Sequence, residues 1–118
     1  MGVLLCLTAV MLGAFGAHAF DSVLQANQRV DVFDLANRYH FYHGLAMMIL
    51  AALSIYINYH KFFLLMVMLF TIGTLLFSGS LYALALTNLP WFGFITPVGG
   101  VLIIIAWGLA LYKVISAH

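Results

Sequence analysis

Charge is what this sequence has least of. Its 118 residues include four Lys or Arg and three Asp or Glu, 6% of the chain, where a soluble domain carries about 25% to wet its surface. So few charged side chains cannot cover a globule of this size in water. The remainder is 66% hydrophobic, with a mean hydropathy of +1.16. A chain of this kind needs an apolar solvent, and the bilayer is one. The formal net charge of +1, with no basic cluster, excludes phosphate neutralisation and hence nucleic acid as a partner. The single cysteine, Cys6, excludes an intrachain disulfide and any cysteine-based metal motif. No Lys or Arg precedes Arg29. The apolar run Leu4–Ala14 therefore lacks the basic flank of a secretory signal, although Ala17-His18-Ala19 fits the small-x-small cleavage pattern. It is read as a retained first helix. Position 6 is Cys where myristoylation wants Ser or Thr. No internal repeat supports an inverted-repeat transporter.

What is present is a series of long apolar runs. A membrane helix needs about 20 such residues to cross about 30 Å of hydrocarbon. Residues 3–20, 39–59, 62–86 and 96–115 meet that need, which predicts an all-α integral membrane protein with four transmembrane helices in one bundle. Between the first two spans, Asp21 to Arg38 holds all three acids and two of the basic residues. Val23, Ala26, Val30 and Phe33 recur there at helical spacing, which predicts a short amphipathic helix at the interface. Asp34 and Arg38 are spaced to pair along it. Thr87-Asn88-Leu89-Pro90 breaks the chain before the last span. That span is expected to open with Thr96 as its cap and Pro97 as its first helical residue. Tyr39, Tyr42, Tyr59, Trp91 and Tyr112 fall near span ends, as interfacial anchors do.

Four spans put both termini on one side, side A, and the Asp21–Arg38 and Asn88–Ile95 loops on side B. Lys61 and Lys113 on side A balance Arg29 and Arg38 on side B. The termini are read as cytoplasmic on the supposition that the two arginines are neutralised by the neighbouring acids.

The polar residues of the spans gather in the side B half. His18 ends the first span, and His40 and His43 open the second, three apart and expected on one face. Three imidazoles could ligate zinc, iron or copper. The structural alternative is hydrogen bonding to interhelical partners, and it takes precedence because a His-x-x-His pair is a weak signal. His60 and His118 read as solvated. Ser78, Ser80 and Tyr82 in the third span and Thr96 in the fourth complete an expected polar nest, with the Asp21–Arg38 helix as its lid. Gly13, Gly16, Ala17, Gly79, Gly99 and Gly100 read as helix-packing positions, with Gly13 and Ala17 at small-xxx-small spacing. No serine has an activating base placed by a motif, so no catalytic residue is assigned.

Four ordered motifs carry a resemblance. They are Gly13-Ala-Phe-Gly-Ala-His18-Ala, Tyr39-His40-Phe-Tyr-His43, Phe77-Ser-Gly-Ser-Leu-Tyr82 and Ile95-Thr-Pro-Val-Gly-Gly100. Together they resemble the domain-of-unknown-function 423 family, also called the transmembrane protein 256 family, over essentially the whole chain. The resemblance implies a four-helix membrane fold in the bacterial plasma (inner) membrane and implies no activity.

The expected function is therefore that of a small multi-pass, non-catalytic membrane protein, an accessory subunit or self-assembling bundle. Its partners would be the lipid bilayer and a homo-oligomer or larger membrane complex, with no cofactor. Two alternatives stand beside it. One is a metal- or haem-binding protein using His18, His40 and His43; the other is a small-solute or ion pathway formed by an oligomer.

Overall fold

The computed structural model describes residues 1–56 and 60–117, excluding the side chains of His60 and Lys61. Tyr59 and His118, and any contact of His60 or Lys61, therefore lie outside the described residues. Every described element is helical: α1 (Gly2–Ala17), α2 (Asp21–Asn27), α3 (Val30–Leu53), α4 (His60–Thr87), a 3-10 turn (Pro90–Phe94) and α5 (Thr96–Ser116). Consecutive long helices pack on one another, α1 on α3, α3 on α4 and α4 on α5. The result is a flattened bundle with extents of 52 × 26 × 16 Å.

By length and composition, two segments among the described residues can cross a bilayer: Phe62–Thr87 and Pro90–Ser116, each with a mean hydropathy of 2.2. A third is reached if α1 and α2, bent by 73° at their junction, count as one span. The fold is thus the expected all-α membrane bundle, with two spans evident and a third conditional. The physical reason lies in the other two helices. α1 is 16 residues long, about 24 Å at 1.5 Å per residue, and α3 carries Asp31, Asp34, Asn37, Arg38, His40 and His43 among its first 14 residues.

The segment expected to be one amphipathic helix is two pieces. Gln28 adopts φ 54, in the left-handed region. Its N–H bonds Gln25 O at 3.1 Å, and the Arg29 N–H bonds Leu24 O at 3.0 Å, a closure of the Schellman kind. α3 then starts at Val30, well before Tyr39, and ends at Leu53. Arg38 Nε donates to the backbone carbonyl of Asp34 at 3.4 Å, so the contact involves the main chain of its expected partner.

α2 is nevertheless a lid, with a clear reason to be one. The last carbonyls of a helix have no partner within it. Asn27 Nδ2 reaches across to Ala85 O and Leu86 O of α4, at 3.0 and 3.1 Å. Asn88, at φ 55, satisfies Leu84 O through its own N–H at 2.8 Å. Arg29 Nε holds Asn88 Oδ1 at 3.2 Å, and Leu24 is buried with Phe33, Ala36 and Leu81 beneath. α5 opens one residue differently from expectation: Ile95 is the cap, and Thr96 enters the first turn with Pro97. The Thr96 hydroxyl is drawn away from capping by Ser80, 2.7 Å distant.

Where backbones approach closely, the residues differ in part from those expected. A Cβ on Gly99 would strike the Phe77 amide of α4 and lie 2.7 Å from Gly73 O, and one on Gly16 would enter the Phe33 ring. Gly2 and Gly44 form a further crossing between α1 and α3, where a Cβ on Gly2 would lie 2.7 Å from Gly44 O. Three expected packing positions are not of this kind. Gly79 has nothing within 4 Å of a built Cβ, Gly100 meets only the Phe77 ring at 3.7 Å, and Ala17 is exposed. The register explains this: positions 73 and 77 of α4 turn toward α5, and position 79 turns outward.

Gly99→Ala should therefore lower stability by about 1–3 kcal/mol, the usual cost of overpacking, because backbone rather than a flexible side chain must yield. Gly79→Ala should leave stability unchanged or slightly raised, since alanine is the better helix former. Reversible denaturation of both variants in mixed micelles checks the contrast; equal losses would contradict the assigned register.

A buried hydrogen-bond network at the centre of the bundle

α3 places its polar side chains on two faces, and each finds a partner on a different neighbour. The Thr8 hydroxyl donates to the carbonyls of its own helix, Leu4 O at 2.9 Å and Leu5 O at 3.1 Å. With the Thr8 proton on these carbonyls, which only accept, the hydroxyl oxygen takes a hydrogen bond from His40 Nε2, 3.2 Å away. A neutral imidazole protonated at Nε2 offers a lone pair at Nδ1. Tyr82 O–H of α4 fills it at 3.2 Å. The Tyr82 oxygen in turn accepts from Asn37 Nδ2 at 3.0 Å, and the other amide proton of Asn37 goes to Ala9 O of α1 at 2.6 Å. This proton arrangement gives each polar atom of the chain a partner, and the chain joins α1, α3 and α4. Gly13 makes room for it, because a Cβ there would lie 3.0 Å from Asn37 Oδ1.

His43 is the opposite tautomer. Its Nδ1 lies 2.6 Å from Tyr39 O, a pure acceptor, so Nδ1 carries the proton. Its Nε2 accepts from the indole N–H of Trp107 on α5 at 3.3 Å. The ring lies 5.8 Å from that of Phe70, which meets Trp107 edge-on at 5.2 Å. His40 and His43 are 7% and 6% exposed, and an imidazolium at such a site would be unpaired and costly.

This geometry does not bring the three histidines of the metal alternative together. His18 sits at the exposed end of α1, while His40 faces α1 and α4 and His43 faces α5. No group of three or more His, Cys, Asp or Glu is placed to share an ion among the described residues. Each buried imidazole has one lone pair, and each lone pair is already in a hydrogen bond. A ligating nitrogen would have to break it.

The other expected nest residues divide. Tyr82 belongs to the network, and Ser80 and Thr96 tie α4 to α5 through their hydroxyls. Ser78 is buried, and with Thr74 one turn earlier has no hydrogen-bond partner among the described residues. Thr71, Ser80 and Thr87 on the same helix do bond back to their own carbonyls. Three residues of the network escaped sequence reading, Thr8, Asn37 and Trp107, as did Asn27 at the α2–α4 contact. A signal existed for Trp107, since an indole far from the interface needs a buried acceptor, and for Asn37, three residues before His40.

Residues 12–100 match the family described as protein of unknown function, DUF423. A UPF0382 membrane protein of Staphylococcus saprophyticus is 40% identical over 111 residues, covering 91% of this chain and 87% of the relative. The UPF0382 membrane protein YwdK of Bacillus subtilis is 37% identical over 107 residues, covering 91% and 86%. The UPF0382 inner membrane protein YgdD of Escherichia coli K12 is 39% identical over 107 residues, covering 86% and 76%. No solved structure matches the chain.

Two measurements test the network. Nitrogen-15 NMR of the reconstituted protein should show one buried histidine protonated at Nε2 and one at Nδ1; two identical tautomers would break the assignment. Tyr82→Phe should cost about 1–2 kcal/mol, as the loss of two bonds of the strength measured within membranes does, with fold and helix content retained.

Proposed function

This chain belongs to the DUF423 family of membrane proteins, and we propose that it is a non-catalytic subunit that works by assembling with other membrane proteins or with itself. One observation carries the reading: the buried imidazoles, the bundle's candidate ligands and bases, are held in hydrogen bonds within it. Both buried imidazoles have both nitrogens engaged, and the Ser80 hydroxyl is bonded to Thr96 and Phe77 O. What faces outward is apolar relief. A groove of about 300 Å³ runs between α3 and α5 along Ala46, Leu50, Trp107 and Ala110. Another of about 420 Å³ runs between α1 and α4 along Leu4, Thr8, Thr71 and Leu75. In a bilayer, close packing against such relief is what associates helices, since lipid tails are as apolar as the protein. The inner-membrane setting accords with the name of the Escherichia coli relative.

The same reading takes all four long helices as crossing, with both termini cytoplasmic. The polar first half of α3 is then tolerable because Asn37, His40 and His43 are paired inside the bundle.

Crosslinking in native membranes, followed by native mass spectrometry in mild detergent, should yield an oligomer or a stoichiometric companion. Monomer alone under every condition would sink the proposal. Single cysteines at Ser22 and Trp91 in a Cys6→Ser background should be labelled by an impermeant maleimide from the periplasm, and one at Ser116 only after permeabilisation. The reverse pattern would invert the orientation, and Ser22 on the same side as Ser116 would remove a crossing.

A further inference from the structure

The arginine on α3 stands at an unusual depth. The register between α1 and α3 is fixed by three contacts: Gly2 on Gly44, Ala9 O on Asn37, and Gly16 on Phe33. Arg38 therefore lies beside Ala9 and Val10, at the middle of α1. The exposed apolar wall of α1 continues past that level, through Val10 (60% exposed), Met11 and Phe15 (48% exposed). From Val10 to the end of α1 is about 10 Å along the helix. Arg38 is thus an exposed cation set well inside the apolar edge of the bundle, where an uncompensated charge is costly.

Its surroundings hold the compensation. A notch of about 240 Å³ opens between α1 and α3, lined by Ala9, Val10, Asn37, Arg38, Phe41 and Tyr42. The amide nitrogen of Asn37 is already committed to Ala9 O and Tyr82. Arg38 is exposed, and among the described residues its side chain makes one hydrogen bond, from Nε to the carbonyl of Asp34, so its terminal N–H groups have no partner there. That bond also aims the side chain toward the α3 N-terminus, as helix side chains lean, and so toward the side B headgroups. Asp34 lies one turn further that way and does not line the notch.

We infer that this notch binds one anionic phospholipid on side B. Arg38 clasps the phosphate, Tyr42 lines the same notch and offers a second donor, and Val10 and Phe41 flank the first methylenes of an acyl chain. The charge argument selects the ligand: a guanidinium forks onto a phosphate, and a lipid alone brings that phosphate together with an apolar chain at this depth. The arginine's long stem spans apolar surface while its head reaches the phosphate.

The test is lipid retention in native mass spectrometry after exchange from phosphatidylglycerol–phosphatidylcholine mixtures. Wild type should keep phosphatidylglycerol in preference to phosphatidylcholine by about tenfold, the effect of one charge-assisted contact. Arg38→Gln should abolish the preference, and Val10→Trp, which fills the notch and keeps the charge, should abolish it too. Arg29→Gln, a loss of charge at the α2–α3 junction, should preserve it, and Asp34→Asn should strengthen it. Millimolar inorganic phosphate should not displace the lipid. A preference unchanged in Arg38→Gln or Val10→Trp, or lost equally in Arg29→Gln, overturns the site. Displacement by free phosphate would overturn the lipid assignment. Val10, Asp34 and Arg38 are exposed and Arg29 is half-buried with one bond, to Asn88, so a helical circular dichroism spectrum like that of wild type is expected throughout.

Discussion

Inside a bilayer, water cannot rescue a polar group, so each N–H, hydroxyl and imidazole must find a partner in the protein or carry the cost of having none. The centre of this bundle is organised around that constraint. His40 cannot sit in α3 without Thr8 on one side and Tyr82 on the other. Tyr82 has an oxygen that accepts from Asn37, and Asn37 reaches the α1 backbone only because Gly13 has no side chain. One imidazole thereby fixes the lateral position of three helices. His43 does the same for α5 through Trp107. Apolar packing alone would specify these helix pairs poorly, since Leu, Ile and Val are as content against lipid as against each other. The directed bonds supply register, and the glycine contacts at Gly2–Gly44 and Gly73–Gly99 supply the distance.

The same constraint explains the side B end. A helix that stops at the membrane surface exposes its last carbonyls, and those of α4 are met by Asn27 and Asn88. That is why α2 folds across the bundle rather than lying free at the interface, and why Gln28 takes a left-handed turn to let α3 begin at once. The cluster of Leu24, Phe33, Leu81 and Tyr82 beneath it then seals the polar network from headgroup water. At the opposite end, Lys113 Nζ lies 3.7 Å from the Phe62 ring centroid, tying α5 to α4 with a cation over a ring.

Much of this was legible in the sequence, and the boundary of legibility has a physical cause. Composition and run length identify the solvent, and the solvent dictates helices. α4 and α5 were readable almost to the residue, because each is a long apolar run between breaks. α3 was not, since its first half is polar on the face that bonds to α1 and α4, and hydropathy cannot distinguish a polar residue paired in a bundle from one bathed in headgroups. The two histidines could be located but not assigned: spacing puts His40 and His43 near each other, whereas a difference of three positions on a helix is enough to turn one toward α1 and α4 and the other toward α5. Glycines raise the same difficulty. Gly73 and Gly79 look alike in sequence, and only the face that α4 turns toward α5 puts one in close contact and leaves the other open.

The contrast between the buried histidines and Arg38 shows where activity in such a protein can lie. A group that has all its bonds inside the fold is committed to holding the fold, and substituting it will alter stability before it alters anything else. Arg38 is exposed and, among the described residues, its side chain has one hydrogen bond, to its own helix. Thr74 and Ser78 stand between these cases: buried hydroxyls one turn apart, without partners among the described residues, on the face of α4 between Phe70 and Leu81. The fold tolerates them although valine and alanine would fill the same space without an unpaired polar atom. Removing both together should therefore be neutral or stabilising, in direct opposition to Tyr82→Phe. If polar satisfaction is what orders the bundle, the sign of the change must follow whether a hydroxyl is bonded, not whether it is buried.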